Sequence, residues 1–172
     1  KRLHRVVQIG AQETSSDSWQ RARDIVRSGD LGTIIRAHIS VGRDSSTLDA
    51  KFRSLAPILK TLDLEVPTNF FPILATARET AHDLTMFTAE YPNELTVFFA
   101  ASLAKAQAPM IRGTKASLEI FEDRLVIHRD GAGIASTETV GCAQQSSHLR
   151  DWLEAIRARS SCACDATLGC AV

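Results

Sequence analysis

Three of the four cysteines crowd the C-terminus of the sequence, at Cys162, Cys164 and Cys170, whereas Cys142 stands alone. A Cys-x-Cys pair with a third thiol six residues later could hold a soft metal ion, because such metals prefer sulfur ligands. The spacing is not that of a zinc ribbon, however, and no histidine falls within the cluster. The sequence therefore favours free thiols in a reducing compartment and no metal site.

Polar side chains that could bind a substrate follow one predicted strand. Arg36 and His38 are two residues apart, so they share the face opposite the apolar one. They could line a substrate pocket in which Arg36 holds an anion, and Arg43, just past the strand, is a further candidate. The alternative is that this face is solvated. His148 falls in the first turn of the last predicted helix, where we expect local capping. No Gly-x-Ser-x-Gly elbow occurs, which excludes a serine hydrolase of that type.

The composition is that of an ordinary globular protein, with 44% hydrophobic and 23% charged residues in a chain of 172. Twenty basic and twenty acidic residues give no net charge, which argues against a general surface for nucleic acid or anionic membrane. No apolar run approaches the roughly 20 residues that a membrane span needs, and the basic start lacks a signal-peptide core. We expect that the protein binds neither nucleic acid nor a membrane and that it is cytoplasmic.

The first 43 residues have the order β-α-β. An apolar run over residues 6–10 precedes a helix whose N-cap is Ser16 or Ser18 and whose left-handed C-cap is Gly29. A strand over residues 33–41 then alternates between apolar and polar side chains. The pattern predicts one apolar strand face, formed by Ile35, Ala37, Ile39 and Val41.

The rest of the chain combines a few helices with runs of strands. A helix over residues 49–64, with its first half in doubt at Pro57, precedes strand candidates at residues 70–75, 84–90, 95–101, 110–112, 116–121 and 125–129. A Gly-, Ala- and Ser-rich loop and a helix capped by Ser147 follow. The pattern predicts an α+β fold, a largely antiparallel open sheet with helices packed on one face. The other face, bearing residues such as Phe98 or Phe99, would meet water or a second subunit, and we expect a homo-oligomer.

Four segments, in order, resemble the Gfo/Idh/MocA oxidoreductases, the group of glucose-fructose oxidoreductase and inositol dehydrogenase. They are residues 5–12 with 22–32, residues 78–93, the Gly113-Thr114-Lys115 hairpin of residues 111–119, and residues 148–153 with 164–169. The resemblance implies an N-terminal Rossmann domain that binds NAD or NADP. It also implies a C-terminal domain, like that of glyceraldehyde-3-phosphate dehydrogenase, that holds a sugar or polyol and builds the oligomer.

On this resemblance, residues 1–14 are a remnant of the dinucleotide-binding domain, with its last Rossmann strand, and residues 15–172 are the substrate and oligomerisation domain. The resemblance places three residues where the nicotinamide end of the cofactor would pass, namely Gln8, Gly10 and Gln12. It also places Lys105 near one wall of the active cleft, as a candidate substrate contact.

The sequence departs from the family where the chemistry should lie. A Gly-rich phosphate loop and a Glu-Lys-Pro motif with its catalytic lysine do not occur, and Gln12-Glu13-Thr14-Ser15 stands where relatives have Gln-Arg-Arg-Ser. The helix around residues 56–61 also lacks the family's Asp-x-x-x-His motif. Dinucleotide affinity comes largely from backbone N–H groups and a helix N-terminus at the pyrophosphate. We therefore expect this chain, by itself, to hold no cofactor and no catalytic residue. The alternative is a non-catalytic, self-associating β-sheet module.

Overall fold

A computed structural model describes the chain over residues 5–42, 48–76, 83–101, 106–131, 136–143 and 147–172. The helices in these ranges are α1 (Asp17–Ser28), α2 (Leu48–Thr61), α3 (His148–Ala158) and α4 (Ala166–Ala171). The strands are β1 (Ile34–Val41), β2 (Asn69–Thr76), β3 (Asp83–Tyr91), β4 (Leu95–Ala101), β5 (Met110–Gly113), β6 (Ala116–Ile120), β7 (Arg124–Arg129) and β8 (Ser136–Gly141). None of the described helices combines the length and apolar character that crossing a bilayer requires.

The eight described strands form one open sheet in the order β2-β3-β4-β1-β5-β6-β7-β8. Neighbouring strands are antiparallel except for β1 and β4, which pair in parallel because the chain crosses over through α2, β2 and β3. Helix α2 packs against β1, and helix α1 packs against β6 and β7. This is the predicted α+β fold, with helices on one face of a largely antiparallel sheet.

Helix α1 forms as its capping residues predict. The Ser16 side chain accepts a hydrogen bond from the Trp19 backbone N–H, which satisfies one of the free donors of the first turn. Gly29 ends the helix at φ +80°, a left-handed conformation that glycine adopts without a steric penalty. Trp19 and Ala22 are buried against the sheet, so the apolar stripe of the helix faces the core.

The core lies between the helices and one face of the sheet. Alternate residues of the central strands fill it, because successive strand side chains point to opposite faces. Phe99 in β4 is buried and stacks on Phe87 of β3 with ring centroids 4.8 Å apart. Phe98, its neighbour in sequence, points to the other face and is 37% exposed. We call this other side the open face; Phe98 belongs to it and Phe99 does not.

Two local predictions were wrong, and the structure settles a third point that the sequence left open. Ile35 is exposed rather than in the core, because a register irregularity between Ile34 and Arg36 interrupts the alternation of β1. Helix α2 is one continuous helix from Leu48 to Thr61, so the half that precedes Pro57 is helical and not a loop. The loop predicted after residue 129 contains strand β8, which pairs with β7 along its whole length.

The apolar run at the start of the described chain forms no strand. Residues 5–9 have no regular secondary structure and pair with none of the described strands. Ile9 N–H donates instead to the Cys164 carbonyl at 2.8 Å, and the Trp152 indole N–H lies 3.4 Å from the Val6 carbonyl. This segment is therefore held by α3 and by the turn before α4.

Candidate functional site

A cavity of about 420 Å³ opens at the carboxyl end of β1, beside the start of α1. Four parts of the chain meet there: the turn and cap before α1, the end of β1, the middle of α2, and the segments that flank β5 and β6. Its polar lining comprises Glu13, Ser16, Ser18, Ser40, Ser54, Gln107 and Glu122, and its apolar lining includes Trp19, Ile39, Ile120 and Phe121.

A short 3-10 turn over Gln12–Ser15 positions Glu13 at the cavity. The Thr14 hydroxyl donates to the Ala11 carbonyl at 2.6 Å, and the buried Thr14 and Ser15 fasten the turn to the core. The Ser16 hydroxyl donates back to the Glu13 carbonyl at 2.9 Å and also caps α1. Ser16 and Ser18 therefore have structural roles in the lining of the cavity. The candidates for hydrogen bonds to a ligand are the carboxyls of Glu13 and Glu122 and the amide of Gln107.

The electrostatics of the cavity are set by its two acids. Burial raises the pKa of Glu13, and the negative charge of Glu122 raises it further, whereas Arg53 acts in the opposite direction with a smaller effect. Glu13 as a whole residue is exposed, and the cavity that it lines shields its carboxyl only in part from water. A carboxyl of this kind can accept hydrogen bonds from hydroxyl groups when ionised and donate one when protonated.

The predicted substrate residues Arg36 and His38 lie on the open face of the sheet, not in this cavity. Arg36 sits opposite Thr96 of β4, and His38 sits between Phe98 of β4 and Met110 of β5. Their substrate-binding role stays a prediction. Arg43 and Lys105, the other two substrate candidates, lie outside the described residues.

The predicted nicotinamide-side residues lie along the N-terminal segment. Gln8 Nε2 donates to the His148 carbonyl at 2.6 Å, so its amide fastens this segment to α3, while its buried Oε1 has no partner among the described groups. Gly10 is exposed, with no atom within 4 Å of the position that a Cβ would take, and Gln12 is exposed at the start of the turn. Gly10 and Gln12 are thus free to meet a ligand, and Gln8 is committed to the fold.

His148 has a larger structural role than the local capping that its position predicts. Ser147 is the N-cap of α3, and the His148 ring bridges two other segments. Its Nε2 lies 3.0 Å from the Ile9 carbonyl, which can only accept, so Nε2 carries a proton. In the neutral ring, Nδ1 then accepts from the Ser15 hydroxyl at 2.7 Å. The imidazole thereby connects α3 to the N-terminal segment and to the turn that carries Glu13.

The cysteines of the described chain are free thiols. Cys162 Sγ lies 3.1 Å from the Val7 carbonyl, and burial raises its pKa. Cys164 is fully buried, and burial raises its pKa to about 11, so its thiol stays protonated at neutral pH. Within the described residues, no group of three or more His, Cys, Asp or Glu side chains is arranged to hold a metal ion.

No family model and no curated protein sequence matches this chain. Solved structures do match its fold. The chain is similar to yvaA from Bacillus subtilis, with 15% identity and a TM-score of 0.75 over 96% of this chain and 60% of that one. It is similar to UDP-N-acetylglucosamine 3-dehydrogenase GnnA from Acidithiobacillus ferrooxidans, with 18% identity and a TM-score of 0.74 over 98% and 59% of the two chains.

A third structure is an inositol dehydrogenase homologue from Azotobacter vinelandii, complexed with NADH and myo-inositol. It has 17% identity to this chain and a TM-score of 0.64, over 80% of this chain and 42% of that one. This chain thus spans about 60% of the length of the first two relatives. Identities this low support a statement about the fold alone. The chain has the fold of the C-terminal domain of oxidoreductases of the Gfo/Idh/MocA type.

Proposed function

We propose that this chain is the substrate-binding and oligomerisation domain of an NAD(P)-dependent oxidoreductase of the Gfo/Idh/MocA type, and that a sugar or polyol binds in the cavity at Glu13. The observation that carries the proposal is the pair of acidic side chains, Glu13 and Glu122, in a cavity at the carboxyl end of β1. The fold, shared with a UDP-N-acetylglucosamine 3-dehydrogenase and an inositol dehydrogenase homologue, supports it.

The chemistry of the cavity favours a neutral polyhydroxyl compound. Carboxylate oxygens accept hydrogen bonds from hydroxyl groups, and the Gln107 amide can both donate and accept. Trp19 and Phe121 offer apolar surface to the C–H groups of a sugar ring. The two acids in the lining outnumber the one nearby cation that acts on Glu13, Arg53, so an anionic substrate would meet net repulsion when both acids are ionised.

NAD or NADP would be held mainly by parts of the enzyme that this chain does not include, because its sequence contains no Gly-rich phosphate loop. The bound nicotinamide would accept or deliver the hydride. Gly10 and Gln12, both exposed and within three residues of Glu13 in sequence, would approach the nicotinamide end, while Glu13 and Glu122 would hold and orient the polyol. In this proposal the chain is inactive by itself.

The exposed side of α3 is a suitable docking surface for the cofactor-binding part. Leu149, Leu153 and Ile156 recur on one side of α3 and are 60%, 42% and 36% exposed, and Val7 of the N-terminal segment is 53% exposed. Large apolar side chains exposed together on a helix commonly mark an interface. This surface continues the N-terminal segment that the resemblance assigns to the Rossmann domain.

Ligand-dependent stabilisation tests the proposal, because a ligand that binds only the folded state raises the melting temperature. We expect myo-inositol or another sugar at millimolar concentration to stabilise the wild-type chain, and Glu13→Gln or Glu122→Gln to remove that effect. Glu94→Gln is the matched control, since Glu94 is an exposed acid in the Pro92–Glu94 turn. Equal stabilisation of all four proteins, or of none by any polyol, would contradict the polyol site. If calorimetry showed that this chain binds NAD(H) with micromolar affinity, the proposal that another domain binds the cofactor would be contradicted.

One observation favours self-association as a second candidate function. A row of cross-strand neighbours on the open face runs from Phe71 of β2 through Phe98 of β4 to Met110 of β5 and Val126 of β7. Phe71 is 50% exposed and Phe98 is 37% exposed. Thr88, His38 and Glu119 lie between the apolar residues, so the row offers a mixed surface whose aromatic part a second copy of the chain could bury.

Sedimentation measures this directly. We expect the wild-type chain to form a dimer and Phe98→Thr to weaken it at least tenfold, because threonine keeps strand propensity and removes the ring. Val66→Thr is the matched control, because Val66 is 75% exposed in the loop before β2 and belongs to no strand. A wild-type chain that stays monomeric at all concentrations would exclude this function.

A further inference from the structure

A second polar cleft lies between helices α1 and α2, apart from the Glu13 cavity. It encloses about 320 Å³, and its basic lining consists of Arg23 and Arg27 of α1 and Lys60 of α2. Arg23 and Lys60 also line a neighbouring cavity of about 350 Å³, which extends toward Asp63 and the turn before α4. Two of the cations thus stand at the junction of two adjoining spaces.

The acids around the cleft do not match its cations. Asp63 is shared: one oxygen accepts from Arg23, and the other accepts from Arg27 Nη2 at 3.0 Å. Asp24 is the acid in the lining of the cleft itself. Asp63, Glu65 and Asp165 line the adjoining cavity. Lys60 is in no ion pair within the described part of the chain, and its Nζ donates to the Thr14 carbonyl over a long 3.3 Å. The cleft therefore has three cations and one carboxylate in its own lining, and the shared Asp63 lies beside it.

Two further features show that this positive charge is poorly compensated. The pKa of Lys60 is lowered, first by burial and next by the nearby charge of Arg23, and the opposing effect of Asp151 is smaller, so the ammonium group lies in an unfavourable environment. The Nε of Arg23 is buried and has no hydrogen-bond acceptor among the described groups. A buried donor without an acceptor and an ammonium without a direct ion pair among the described residues both gain from a bound anion.

We propose that the cleft between α1 and α2 binds a small oxyanion of the phosphate type, with Lys60 and Arg23 as its charged contacts. A phosphate offers several acceptor oxygens and up to two negative charges, so it can meet a flexible ammonium and a guanidinium together. A monocarboxylate offers less charge and a planar pair of oxygens. The proposal does not depend on the oxidoreductase function, because the cleft shares with the Glu13 cavity only Trp19 of its lining.

The test is a titration of the whole chain with inorganic phosphate at constant ionic strength, read by melting temperature and by backbone amide shifts. We expect saturable stabilisation by phosphate, and shifts confined to residues around Gln20, Arg23 and Lys60. Lys60→Gln should weaken phosphate binding at least tenfold, whereas Lys115→Gln should bind like wild type, since Lys115 is exposed in the β5–β6 turn.

Arg27→Gln provides a second variant at a more exposed position, with an expected loss of a few fold, should Lys60→Gln fold poorly. Glycerol 3-phosphate in place of phosphate distinguishes an organic phosphate from the free ion, and binding of either supports the site. Equal stabilisation by chloride and phosphate, equal phosphate affinity in wild type and Lys60→Gln, or binding of acetate but not phosphate would overturn the proposal.

Discussion

Replacing Gly113 by alanine should destabilise the chain because of a close backbone contact, not because of backbone conformation. A Cβ at this position would lie 2.1 Å from the Leu31 carbonyl oxygen and 2.8 Å from its carbon. Leu31 is fully buried, and its carbonyl accepts a hydrogen bond from Lys115 N at 2.9 Å, so the corner before β1 cannot move aside freely. A side-chain rotation therefore cannot relieve the clash.

The magnitude follows from two opposing contributions. Overpacking a tight site costs typically about 1–3 kcal/mol, and a backbone obstacle points to the upper end of that range. Alanine also restricts the unfolded chain, which stabilises by about 0.4–1 kcal/mol at a conformation it can adopt. The clash exceeds the entropic gain, and we expect Gly113→Ala to lower the free energy of unfolding by about 2 kcal/mol.

Gly141 supplies the matched control, because it also ends a strand but has no atom within 4 Å of the position that an alanine Cβ would occupy. Gly141→Ala should be neutral or stabilising by up to about 1 kcal/mol. Urea unfolding measures both variants, and an unchanged m-value would show that the midpoints report stability alone. If Gly113→Ala proves as stable as Gly141→Ala, the corner around Leu31 yields easily and the reasoning from close contact is refuted.

Two further predictions follow from the titrating groups. The pKa of Glu13 is raised in the folded state, so its stabilising contribution is present below the ordinary carboxyl pKa and is lost as the pH rises through the folded value. In urea unfolding, Glu13→Gln should therefore be more stable than wild type at pH 7 and as stable as wild type near pH 4. A stability difference of the same size at both pH values would contradict this. Because Cys164 is fully buried with a pKa of about 11 while Cys170 is exposed, a thiol reagent at pH 8 should modify Cys170 in the native protein and Cys164 only after unfolding. Mass spectrometry that finds equal rates at the two cysteines would refute that assignment.

Local rules predicted much of this fold because the relevant signals are carried by neighbouring residues. Helix α1 is predicted by a capping serine, an apolar stripe and Gly29, all within one short segment. The sequence Tyr91-Pro92-Asn93, between the strand candidates 84–90 and 95–101, likewise predicts a hairpin turn from a few residues, and Asn93 there adopts the left-handed conformation at φ 66°. Such features need no knowledge of distant parts of the chain.

The elements that the sequence did not predict depend on distant partners. Strand β8 is a polar and exposed edge strand whose order comes from its ladder with β7, and no alternation of apolar residues marks it. Ile35 is exposed because the pairing of β1 with β5 is irregular at this residue. The alternating sequence of β1 gives no sign of that irregularity. The bridging role of His148 joins residues more than 130 positions apart, and spacing along the chain carries no trace of it.

The candidate site escapes sequence reasoning for a related reason, although one signal is visible in the sequence. Glu13 stands where the family that the sequence resembles has an arginine, so the charge at this position is negative instead of positive. In the structure the reversal coincides with a second acid, Glu122, which lies more than 100 residues away in sequence and lines the same cavity. Two acids repel a diphosphate but accept hydrogen bonds from hydroxyls, so the proposed site favours a neutral polyol over a nucleotide sugar. A UDP-sugar that stabilised the chain more than myo-inositol, with the difference abolished by Glu13→Gln, would reverse that order of preference.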